Sequence, residues 1–120
     1  MDIFNNEIDR LNFEDFIWII FIGLILLNIL GDNFQKEFLK ENIKEKEIKA
    51  NNIFLFVLVV TFFIYLYFFI RNFSAFEKAN DENKSLFFIK LLGSSFFIAG
   101  IICLIYFQSK QSSFIGTPAL

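Results

Sequence analysis

Lys90 and Ser94 stand four residues apart in an otherwise uncharged stretch, a spacing that puts both on one face of a helix. A serine beside a lysine is a nucleophile–base pair that works without histidine, and this chain contains no histidine. The chemistry would be acyl transfer. It demands a lysine held neutral and an oxyanion hole, and the neighbouring residues offer neither. Lys90 lies one turn inside an apolar block, close enough for its stem to carry the ammonium to a membrane interface, so snorkelling is the reading that fits. Cys103 is the single cysteine. One cysteine without histidine rules out an internal disulfide, a Cys/His dyad and a zinc site. The expectation is a protein that is not an enzyme and carries no cofactor.

The remaining polar and small residues of the apolar blocks point to helix packing. Asn28 is deep in the first block, where an amide bonds a neighbouring helix. Ser95, Ala99 and Cys103 recur at every fourth position of the third block, and Gly93 and Gly100 form a second small surface roughly 100° around the same helix. Small residues let backbones approach closely. Two such surfaces lead us to expect a third helix that packs against two neighbours, either within the chain or in a homo-oligomer. Every Asp and Glu lies outside the blocks, the nearest being Asp15 and Asp32. A proton-coupled carrier needs an ionisable group buried between helices, so a self-contained transporter is not expected.

The elements that must hold these residues follow from composition. The 120 residues are 56% hydrophobic and 20% aromatic, with a mean hydropathy of +0.56 and the charges segregated between apolar blocks. A soluble domain mixes the two kinds more finely. A net charge of −2 gives no basic field for nucleic acid. The block "IFLFVLVVTFFIYLYFFI", residues 53–70, carries six phenylalanines and two tyrosines and no charge. As a helix it covers ~27 Å, close to the hydrocarbon thickness of a bilayer. In lipid, a helix satisfies every backbone polar group within the segment, which overrides the strand preference of aromatic and β-branched residues. Residues 16–31 and 86–107 read the same way. The fold class expected is an all-α membrane protein, a single membrane domain of three transmembrane helices with a charged helical linker, residues 32–52, between the first and second.

Local signals set the expected boundaries. Asn12 is placed to cap the first helix, with Glu14 and Asp15 in its first turn. "NDENK", residues 80–84, marks the turn between the second and third helices, and "RNFSAFEKA" before it can continue the second. The linker has five acids and five lysines, which pair on paper as Glu37 with Lys40, Glu41 with Lys44 and Glu45 with Lys49. It reads as a solvated helical arm, with Lys36, Lys40, Lys44, Lys46 and Lys49 as candidate cytoplasmic contacts. Those five and Lys110 outnumber Arg10, Arg71, Lys78 and Lys84 on the other side, so the positive-inside rule leans toward an external N-terminus and a cytoplasmic C-terminus. The weight of Phe, Ile, Asn and Lys matches A+T-rich codons, hence the cell membrane of a low-GC bacterium. Asn72 and Asn83 head glycosylation-type tripeptides.

The function expected is that of a small non-enzymatic membrane protein, an accessory or interaction subunit of a membrane complex or a homo-oligomer. Its partners are the lipid bilayer and a membrane protein or a second copy. A pore former of the phage holin kind has the right size and span number, although three-span holins place their charge cluster in the C-terminal tail. A membrane immunity or stress protein is the third alternative.

Overall fold

The structure, a computed structural model, describes residues 6–110 and 115–118. Three helices carry the chain: α1, Glu7–Glu41; α2, Lys44–Lys78; and α3, Lys84–Lys110. No strand occurs among the described residues. All three helices are long and apolar enough to cross a membrane. At 35, 35 and 27 residues they outrun their apolar blocks, so their ends extend beyond the hydrocarbon.

α1 starts earlier than expected. Asn6, with extended backbone, accepts a hydrogen bond from Asp9 N at 2.9 Å, and Glu7 and Asp9 occupy the first turn. Asn6 therefore offers the cap chemistry assigned to Asn12, which falls inside the helix, as do Glu14 and Asp15. At its other end α1 runs through Gly31 without a break and stops at Asn42. Asn42 is left-handed (φ 56°), and its N–H closes the helix on Phe38 O at 2.7 Å. Asparagine tolerates that conformation as few residues do. α2 begins two residues later.

Residues 32–52 are thus the tip of a helical hairpin, the last turns of α1 and the first of α2, and the continuous arm is not formed. The turn also changes the ion pairs. Lys49 meets Glu45 as expected, while Lys46 reaches across to Glu37 and Lys44 pairs with Glu47. α2 does continue through "RNFSAFEK" to Lys78, and the following turn is held by Asn83 N donating to both Asn80 O and Asn80 Oδ1 at 3.1 Å.

α2 is the central helix. α1 and α3 each pack against it and do not pack against each other. The α1–α2 seam obeys the alternating three-and-four spacing of an antiparallel coiled coil. On α1 it runs through Glu14, Ile17, Phe21, Leu24, Asn28, Gly31, Gln35 and Phe38. On α2 it runs through Glu47, Ala50, Phe54, Val57, Thr61, Ile64, Phe68 and Arg71. Each of these residues is buried or half-buried. Ile17, Leu24, Val57 and Ile64 make the buried heart of the seam, flanked by Ile20, Leu27, Ile53, Val60 and Tyr67.

Two contacts fix its register, Glu14 against Arg71 and Gly31 against Phe54. Seventeen residues separate the two members on α1, and seventeen separate them on α2. Gly31 is required there: a Cβ at that position would stand 2.5 Å from the ring of Phe54, itself 1% exposed. Thr61, in the middle of α2, satisfies its hydroxyl by donating to Val57 O at 2.8 Å.

Candidate functional site

At the end of the bundle where α1 begins, seam positions that should be apolar are ionic. Glu14 is buried, 6% exposed. Its Oε1 accepts from Arg71 Nη1 at 3.0 Å and its Oε2 from the Tyr67 hydroxyl at 3.0 Å, with Arg10 Nε 3.7 Å away. Arg71 directs its other N–H groups to Asn72 Oδ1, at 3.2 and 3.0 Å, and lies over the Phe68 ring at 4.8 Å. Asn72, also buried, donates its amide to Ser94 Oγ and so carries the network to α3. The cluster spans all three helices.

The sequence reading missed it. Glu14 and Arg71 lie just outside the apolar blocks, and block edges drawn by hydropathy separate them from the helices they belong to. Continuing the seam spacing from Ile17 back to Glu14, and from Phe68 on to Arg71, would have found the pair. Glu14 is also a buried ionisable group between helices, the feature whose lack weighed against a self-contained transporter.

The Lys90–Ser94 pair does not assemble as a nucleophile and base. Ser94 Oγ donates to the Lys90 backbone carbonyl at 3.2 Å, and its second partner is Asn72. Asn72 sits in α2 with its side chain engaged, whereas Asn83 is exposed in the α2–α3 turn.

Amides gather at the opposite end. Gln108 Nε2 reaches Asn51 Oδ1 at 3.4 Å, joining α3 to α2. Gln35, 3% exposed, accepts from Gly116 N at 2.7 Å, and Thr117 Oγ1 meets Asn28 Oδ1 at 3.4 Å. Residues 115–118 therefore lie back along α1, and Pro118 is buried. Asn28 therefore meets the tail, where the expected partner was a neighbouring helix.

Of the small residues of α3, Ser95 is half-buried and its hydroxyl donates to Leu91 O at 3.1 Å within its own helix. Ala99, Gly100 and Cys103 are exposed. A Cβ built on Gly93 or Gly100 meets nothing within 4 Å. Neither Gly93 nor Gly100 is pressed by a neighbouring helix, and among the described glycines the close approach falls at Gly31 of α1.

Among the linker lysines, Lys36, Lys40, Lys44 and Lys49 are exposed and Lys46 is half-buried. Lys46 Nζ stands 3.0 Å from Glu37 and 5.2 Å above the centre of the Phe34 ring, which Lys49 shares at 5.7 Å. The hydrogen bond and charge of Glu37 hold the Lys46 ammonium above its ordinary pKa. No family model matches the sequence, and comparison with curated proteins and with solved structures returns no significant match.

Proposed function

We propose that the chain is a small, non-enzymatic integral membrane protein that acts by association, with α3 as its contact helix. One observation carries this reading. α3 packs against α2 alone, and its Ala99, Gly100 and Cys103 face away from the rest of the chain. Helices in lipid associate by close contact, and small residues are what permit it. An outward small-residue surface is idle in a lone chain and useful to a second copy or a larger membrane complex. The lysines around the α1–α2 turn then lie on the cytoplasmic side, following the positive-inside count.

The test uses Cys103, the single thiol, exposed on that surface. Oxidation of the protein in native membranes should give a disulfide-linked species. Ala99→Phe should abolish that species and shift elution in mild detergent, while Ile25→Phe, on the exposed side of α1, should leave both unchanged. Equal behaviour of the two variants would remove α3 as the contact helix. A large open-ended oligomer that releases dye from vesicles would favour the holin-like pore over the accessory subunit.

A further inference from the structure

Resting on the membrane reading above, we infer that the ionic layer of Arg10, Arg71 and Lys90 is a binding site for the headgroup of an anionic phospholipid. Two arginines converge there on one buried acid, and Lys90 stands on the neighbouring face of α3. Lys90 shares a stripe of α3 with Ile101 and Gln108, about three and five turns further on, and both of those are buried on the α2 side. Its side of the helix is therefore the one that carries Ser94 toward Asn72, the neighbour of Arg71.

Glu14 cannot serve all three cations. Its oxygens already accept from Arg71 and Tyr67. Arg10 Nε is buried without a hydrogen-bond acceptor, and Lys90 has no ion-pair partner among the described residues. The layer thus leaves one donor of Arg10 and the Lys90 ammonium without an acceptor among the described residues. The other acids of this end, Glu7, Asp9, Asp15, Glu77, Asp81 and Glu82, are all exposed. Glu7 takes only the Nη2 of Arg10.

A phosphodiester with no compensating cation supplies the missing acceptors and charge. Lys90 is one turn inside an apolar block, so its stem carries the ammonium up to the depth of the lipid phosphates, where acyl chains hold headgroups at a concentration no dissolved anion matches. That favours the lipid as the source. One interfacial cation contributes about a fivefold preference for an anionic headgroup.

Trp18, the single tryptophan, reports on the site. It is exposed on α1, one turn from Glu14, and its ring centre lies 5.8 Å from that of Phe68, tilted by 30°, the ring under Arg71. The protein would be reconstituted into phosphatidylcholine vesicles containing a small fraction of acyl-brominated phosphatidylglycerol or acyl-brominated phosphatidylcholine. Brominated phosphatidylglycerol should quench Trp18 several-fold more at equal mole fraction. Lys90→Gln and Arg10→Gln should each cut that preference about fivefold, Lys40→Gln at the other end should not, and millimolar inorganic phosphate should not compete. Equal quenching by the two lipids would overturn the site and leave the membrane placement standing. Absence of quenching by either would overturn the membrane placement and the site with it. Competition by inorganic phosphate would assign the layer to a soluble anion and overturn the lipid.

Discussion

The same two helices are joined by an ion pair at each end, and the two pairs have the same length. Arg71 Nη1 and Glu14 Oε1 are 3.0 Å apart, as are Lys46 Nζ and Glu37 Oε2. Their surroundings differ. The Glu14 side chain is 9% exposed and Arg71 23%, whereas Glu37 is 45% exposed. Arg71 has its remaining N–H groups on Asn72 and an aromatic ring beneath it, and Tyr67 adds a hydroxyl to the carboxylate. Glu37 has water. Distance alone therefore does not rank the two. In the first pair, removal of one partner strands a charge that has already lost its hydration. In the second the solvent takes over whatever the partner gave.

The largest effect should come from stranding Glu14. Arg71→Met removes the main cation and leaves the carboxylate between α1 and α2. Breaking a fully buried pair costs about 3–5 kcal/mol, and Arg71 keeps enough exposure to place this case near the lower end. Thermal stability in detergent should fall steeply. Glu14→Gln in the same chain should recover most of the loss, because a neutral amide can keep the Tyr67 bond. If the double variant melts no higher than Arg71→Met, the penalty comes from lost packing of the arginine over Phe68, and the contrast between the two pairs disappears.

An intermediate effect should come from Gly31, which shares the seam with both pairs. Gly31→Ala drives a methyl into the Phe54 ring, which is itself fully buried. Overpacking of this kind costs about 1–3 kcal/mol. Phe54→Leu should partly relieve it, a rescue that double-mutant melting curves would read directly. Independent, additive losses would mean that the helices do not approach at Gly31 and that the register inferred from the two contacts is wrong.

These sites differ in how far the sequence discloses them. The three helices were legible because bilayer-length apolar blocks leave the backbone one way to satisfy itself. The α2–α3 turn was legible because "NDENK" has the residues a turn requires. The α1–α2 turn was not. Asn42 stands among Glu and Lys residues whose spacing reads equally well as one helix, and only its left-handed backbone separates α1 from α2. The seam was hidden for another reason. Its hydrophobic positions are surrounded by lipid-facing residues of equal hydrophobicity, so no amphipathic contrast marks the inner face. Small residues were the remaining clue, and α3 holds more of them than α1. Yet the close approach occurs at a single glycine of α1, because Phe54 happens to lie opposite.

The smallest effect should be at Lys46, and its pH dependence sharpens the comparison. The Lys46 ammonium is held above its ordinary value of 10.5, chiefly by its hydrogen bond to Glu37 and then by that residue's charge. A cation whose pKa is raised on folding stabilises the fold fully below the unfolded value, and that contribution is lost as pH rises through the folded one. The window therefore opens above pH 10.5, so between pH 6 and pH 9 the lysine adds no pH dependence. Lys46→Met keeps most of the stem that covers Phe34 and removes the charge. Melting temperatures of wild type and Lys46→Met should agree within replicate scatter near neutrality, since a pair whose carboxylate is open to solvent is screened by water and salt. Whatever difference exists should begin to shrink above pH 10.5 and vanish once pH passes the raised Lys46 value. A clear neutral-pH loss in Lys46→Met, suppressed by high salt, would show that the exposed pair contributes as the buried one does. Equal 3.0 Å separations would then mean equal worth, and the exposure of Glu37 would have been the wrong quantity to weigh.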